Sequence, residues 1–123
     1  MKKAIAASAL VVLSMTTYGQ GIYVPHGFMI GNAYEQMSPL ERQRYLAGVM
    51  DGYLTAPMFA MKEVPRIVTL QRCVLVMQLN DRQLAAIVDK YMSENPEQWG
   101  QDMNILTFQA IRGACIKVDI SLD

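Results

Sequence analysis

The stretch from Asn80 to Pro96 constrains this chain most, because it carries a start signal, an apolar stripe and a stop signal for one helix. Asn80 suits the N-cap position. Gln83, three residues on, completes a capping box that satisfies two of the free amide donors at a helix start. Leu84, Ile87, Val88, Tyr91 and Met92 then recur at three- and four-residue spacing, which places them on one face. Asn95-Pro96 ends the run, since the residue before a proline avoids helical backbone angles. A helix with one apolar face must bury that face, so the rest of the chain has to supply its partners.

Two further stretches supply them. Ser38-Pro39-Leu40-Glu41 is a second start signal, with a cap at Ser38, a proline at the first helical position and Glu41 closing the box. Tyr45, Leu46, Val49, Met50, Tyr53 and Leu54 follow on one face. Gly48 and Gly52 weaken this helix and predict close approach of a neighbouring helix, and Pro57 predicts its end. A last helix is predicted over residues 102–114, with Ile105, Phe108, Ile111 and Cys115 at helical spacing. Residues 20–32, rich in glycine and proline, read as a loop, and a short helix is expected over 31–37. Residues 57–79 admit two readings: Ile67, Leu70, Val74 and Met77 suit a helix, whereas 73–79 also suits a buried strand. Residues 116–122 alternate strictly, a short strand signal. The expected fold is mainly α: a small helical domain with short strands near 73–79 and 116–122 as the open element.

The first 19 residues read as an address. Lys2 and Lys3 precede an apolar run over 4–13 and a small, polar stretch over 14–19, the layout of a secretory signal. The run is about half of the roughly 20 residues that span a bilayer. Cleavage after Gly19 leaves one helical domain over 20–123, an exported, periplasmic protein with no later segment apolar enough to span a membrane. Export gives meaning to the only two cysteines, Cys73 and Cys115. In an oxidising compartment a single pair predicts one disulfide. Closing a loop of roughly 40 residues contributes about 4 kcal/mol in the chain-entropy picture. Lysine plus arginine number 11 against 11 aspartate plus glutamate. That balance, made slightly acidic by loss of Lys2 and Lys3, gives no basic face for nucleic acid.

Chemistry is sparse. The one histidine, His26, lies in the glycine- and proline-rich entry loop with no partner the sequence nominates, and no catalytic motif is present. The expectation is therefore no enzyme, no catalytic residue and no cofactor. The acids Asp51, Asp81, Asp89, Glu94, Glu97 and Asp102 read as solvated or capping groups, with Asp51, between Gly48 and Gly52, the one nearest a buried stripe. With both cysteines in a bridge, zinc lacks strong ligands and no metal site is expected. Ten methionines are unusual. Met58 and Met61, with Met29, Met37 and Met50, offer thioethers for Cu(I), but methionine more often fills irregular cores, and Met50, Met77 and Met92 already lie on apolar stripes. Trp99, the only tryptophan, reads either as a lid on the core or as an interface anchor.

Residues 80–97, NDRQLAAIVDKYMSENPE, resemble the Rap/Tai immunity proteins of type VI secretion systems, in which a capped helix reads Q-L-x-x-(I/V)-V-x-x-(Y/W)-(L/M) before a polar turn with P-E. Gln83, Leu84, Ile87, Val88, Tyr91, Met92, Pro96 and Glu97 stand at the matching positions. Tyr45-Leu46-Ala47-Gly48-Val49-Met50-Asp51 looks like the family's G-Y-x-x-G-V-x-D helix without its first glycine, and Cys115 fits a cysteine closing the final helix. The family places a cysteine soon after that first motif, whereas Cys73 follows a long, proline-marked insertion. The resemblance implies an exported helical protein, often a homodimer, that binds and inhibits a peptidoglycan-cleaving amidase effector. The residues expected to make that contact are Glu94, Asn95, Glu97, Gln98 and Trp99, in the turn between the last two helices. A periplasmic chaperone or assembly factor, and a small copper-binding protein, are the alternatives.

Overall fold

The computed structural model describes residues 27–123, so the expected leader over 1–19 and His26 lie outside the described residues. Five helices follow in order: α1 (Gly31–Tyr34), α2 (Pro39–Ala60), α3 (Pro65–Met77), α4 (Asp81–Glu94) and α5 (Met103–Ile116), with a 3-10 turn at Pro96–Gln98 before α5. The fold is mainly α, as the sequence predicts.

Both capping boxes form. The Ser38 amide donates to Glu41 at 2.8 Å, and the Ser38 hydroxyl accepts from the Glu41 amide. Asn80 and Gln83 exchange bonds of 3.0 and 2.9 Å. Such reciprocal bonds answer donors that the first turn leaves unpaired. The Ser38 contacts hold the Glu41 carboxyl below its usual range.

Helix α2 does not stop at Pro57 but continues through it to Ala60. Proline costs one bond, the one its missing amide would have given Tyr53, and one further turn survives that loss. The helix ends instead at Met61, whose φ of 51° is left-handed. Residues 65–77, the ambiguous stretch, are helical. Pro65 sits in the first turn, and Gln78, with φ of 49°, closes the helix by donating back to Val74 and Leu75. No strand forms near 73–79 or over 116–122 among the described residues. A strand needs a partner ladder, and the tail turns back at Asp119 (φ 60°) instead, where the Ile120 amide bonds the Cys115 carbonyl at 3.0 Å. The alternation still reports burial, because Ile120 and Leu122 are both buried.

Helices α2, α4 and α5 enclose the core, in which Leu46, Met50, Leu84, Val88, Met92, Leu106, Ala110 and Ile111 are buried. Helices α2 and α4 run antiparallel. Arg42 near the start of α2 meets Asp89 near the end of α4 at 3.0 Å, while Ala47 and Met50 share a small hollow with Asp81 and Leu84 at its start. Helix α5 joins them through the Tyr53 hydroxyl, which donates to the Asn104 carbonyl, and through edge-on packing of Tyr53 against Phe108 at 6.1 Å. Helix α3 is more loosely attached, since it fully buries only Leu70 and Cys73. Cys73 is bonded to Cys115 on α5, their Cα atoms 5.7 Å apart and 42 positions apart in the chain. Two buried side chains contribute about 1.5–3 kcal/mol each. A staple worth about 4 kcal/mol is therefore comparable with all of the full burial that α3 achieves.

The expected close approach at Gly48 and Gly52 is not found. Both glycines face solvent, and a Cβ added at either meets nothing within 4 Å. The glycine that does permit close approach is Gly31, where a Cβ would lie 2.7 Å from the Trp99 Cα. Because Gly48 and Gly52 are helical and open, Gly48→Ala and Gly52→Ala are each expected to raise stability by about 0.5–1 kcal/mol. Urea unfolding measures it; a loss of stability would mean that something packs on that face.

Candidate functional site

The turn between α4 and α5 is held at both ends. Asn95 caps α4, its Nδ2 donating to the Tyr91 carbonyl at 2.8 Å. The Trp99 indole donates to the Met92 carbonyl at 2.9 Å, and its ring packs on the core half-buried. From the other side, the entry segment zips onto the turn: Asn32 donates to the Trp99 carbonyl at 2.8 Å, Gly31 to Gln101 at 3.0 Å, and the Met103 amide to Met29 at 2.7 Å. Gly31 is what allows this, since any side chain there would strike Trp99 and Met92. The Tyr91 hydroxyl lies 2.8 Å from the Gln98 side-chain oxygen and 2.6 Å from that of Gln109. One hydroxyl has one proton, so one of those amides must turn its NH2 toward it.

The five residues expected to form a binding turn therefore divide. Asn95, Gln98 and Trp99 face at least partly inward and brace the backbone, whereas Glu94 and Glu97 are exposed. Trp99 is seated as a lid. Glu94 is 3.7 Å from Lys90, an exposed pair one helical turn apart that contributes little to stability. Glu94 also borders a groove of about 380 Å³ whose apolar floor includes Met77, Ile87 and Ala110, with Lys90 and Lys117 beside them.

Beneath the turn lies a polar cluster that sequence reasoning missed. Asp89, read there as solvated, accepts the Tyr34 hydroxyl at 2.8 Å and Arg42 Nη1 at 3.0 Å. The Arg42 guanidinium also donates to the Met37 and Glu35 carbonyls at 3.2 and 2.9 Å, and stacks 4.8 Å from the centre of the Tyr34 ring. Burial pushes the Tyr34 hydroxyl far above its usual range, and the Asp89 carboxylate adds to that. Burial opposes the Arg42 charge, but Asp89, with Glu35 and Tyr34 adding, raises the group. Tyr53 is likewise pushed up by burial. The only signal available in sequence was the position of Asp89 beside Val88, at the margin of the apolar stripe.

The other sequence candidates are dispersed. Asp51 is exposed at the rim of the small hollow between α2 and the start of α4. Met50 and Met92 are buried, and Met29, Met37 and Met77 pack against the core, while Met58 and Met61 are exposed. Among the described residues no three His, Cys, Asp or Glu side chains group as a metal site would require. Geometry and cluster together define a disulfide-stapled helical protein with a braced, acidic turn. No family model, no curated protein and no solved structure matches the chain.

The tyrosine shifts set an alkaline limit. A raised tyrosine favours the neutral phenol in the folded state, so its contribution is complete below about pH 10, the unfolded value, and is lost as pH rises toward the folded one. Tyr34→Phe is expected to lower stability at pH 7 by about 1.5–3 kcal/mol, the range for a hydrogen bond to a charged group. It is also expected to flatten the fall above pH 10. Urea midpoints from pH 7 to 12 check both, and an unchanged alkaline slope would remove Tyr34 from the account.

Proposed function

We propose that this chain is an exported binding protein that inhibits a cell-wall amidase by seating the turn between α4 and α5 in the enzyme's cleft. The observation that carries this reading is the bracing of that turn. Backbone bonds from Gly31, Asn32 and Met103, with the Trp99 indole bond, hold the segment from both sides, and Glu94 and Glu97 stand exposed on it. A loop ordered before binding loses less conformational freedom on binding, so more of its contact energy appears as affinity. The two acids suit a cleft with basic or polar walls and would speed encounter. Inhibition by occlusion asks for no catalytic group in the inhibitor. The resemblance of residues 80–97 to the Rap/Tai immunity proteins supports the same reading, and with it a homodimer as the working form.

The test uses purified secreted cell-wall amidases, starting with any encoded by a neighbouring gene. Wild-type protein is expected to inhibit one of them, and Glu94→Lys with Glu97→Lys to weaken binding at least tenfold, about 1.4 kcal/mol or more, with an unchanged melting temperature. Trp99→Ala is expected to act on folding instead, at a cost on the order of 3 kcal/mol. Full inhibition by the charge-reversed variant would exclude the turn, and absence of any complex with the wild type would exclude the function.

A further inference from the structure

The corner between α2 and α3 carries the most exposed apolar side chains among the described residues. Met58 is 77% exposed, Phe59 85% and Met61 92%. Side chains this bare stand off the surface and rest on almost nothing. Their position follows from the backbone: α2 runs a turn past Pro57, and Met61 then takes a left-handed conformation at φ 51°. Lys62 and Arg66 follow at once, both exposed, with Glu63 between them. The stretch from Gly52 to Asn80 holds three cations, Lys62, Arg66 and Arg72, and a single acid, Glu63, although the whole chain is balanced; Arg66 also borders a hollow shared with Arg112 and Asp123.

The position of the tip adds to this. Ala47 and Met50 share a hollow with Asp81, so α2 projects beyond the start of α4 while Glu94 lies at the far end of the same antiparallel pair. At 1.5 Å per residue, the apolar tip and the acidic turn are about 30 Å apart.

We propose that this tip docks the protein on the surface of an anionic phospholipid bilayer, with Met58, Phe59 and Met61 entering the headgroup boundary and Lys62 and Arg66 meeting lipid phosphates. The charge of the corner is complementary to such a surface, and a fluid bilayer receives a convex apolar tip without a matching pocket. A second copy of the chain fits poorly: two convex tips touch only at their points, well short of the roughly 1,200 Å² that stable interfaces bury. Docking of this kind is distinct from spanning, for which none of the described helices is long and apolar enough. It departs from the sequence expectation of no membrane contact. It also leaves the acidic turn pointing away from the lipid, so the two surfaces are independent.

The experiment is vesicle flotation of disulfide-intact protein spanning residues 20–123. Vesicles of phosphatidylethanolamine with phosphatidylglycerol are compared with vesicles of phosphatidylcholine alone. Wild-type protein is expected to float with the anionic vesicles, less so at high salt. Met58→Ser, Phe59→Ser and Met61→Ser together are expected to reduce binding at least tenfold. Lys62→Glu with Arg66→Glu should reduce it on the anionic vesicles. All five side chains are exposed, so circular dichroism and amidase inhibition should be unchanged in both variants. Undiminished flotation of the serine variant, equal binding to neutral and anionic vesicles, or no binding by the wild type would each overturn the proposal. So would a concentration-dependent dimer that the serine variant abolishes without any vesicle binding.

Discussion

The Cys73–Cys115 bridge is the constraint on which the arrangement of this protein depends, because it fastens the one helix that packing alone holds weakly. Helices α2, α4 and α5 share a continuous apolar core, but α3 commits only Leu70 and Cys73 to full burial. Val68, Leu75 and Val76 on the same helix remain exposed. Without the bridge, α3 would weigh the burial of Leu70 and Cys73 and the partial packing of Ile67, Val74 and Met77 against the ordering entropy of 13 residues and the corner before them, at about 1–2 kcal/mol per residue for the backbone. That balance needs the hydrogen bonds of the helix and a covalent tie.

The second constraint is polar. Arg42 joins three parts of the chain, bonding the Glu35 and Met37 carbonyls after α1 and Asp89 on α4 while it belongs to α2. Removing Asp89 would leave the largely buried Arg42 guanidinium with Glu35, at 3.4 Å, as its ionic partner. Removing Arg42 would leave Asp89 with the Tyr34 hydroxyl alone, and breaking such a pair from one side costs more than the intact pair contributes. Tyr34 completes the cluster from beneath, fully buried yet hydrogen-bonded through its hydroxyl. This cluster fixes the segment after α1, and Gly31 at the start of α1 then fixes the turn carrying Glu94 and Glu97. The route from core to surface is therefore a short chain of named bonds.

How much of this was legible in the sequence follows from what each feature depends on. Caps and stripes are local: Ser38 with Glu41, Asn80 with Gln83, and the run Leu84 to Met92 each carry their own signal, and all formed as read. The disulfide was expected from two cysteines in a chain read as exported, and the pair is bonded. Features that depend on distant residues were misread or missed. Asp89 looked solvated because its partners lie 47 and 55 positions away. Gly48 and Gly52 looked like packing glycines because spacing does not say which side of a helix its neighbours occupy. Pro57 looked like a terminator because its local penalty is plain, while what lets α2 run one turn further is not encoded nearby. Residues 116–122 alternated for burial of Ile120 and Leu122, and no strand was there to pair with them. In the candidate turn, the stop at Asn95-Pro96 and the exposed acids were readable, whereas the bracing bonds to Gly31 and Asn32 were not.

The bridge holds α3 against a core formed by the other long helices. Amide hydrogen exchange before and after mild reduction measures it residue by residue. With the disulfide intact, the amides of α3 should be protected. After reduction they should exchange together, well ahead of those of α2, α4 and α5, as a unit of low local stability does. Unchanged protection of α3 after reduction, or loss of protection across the whole chain at once, would contradict the claim.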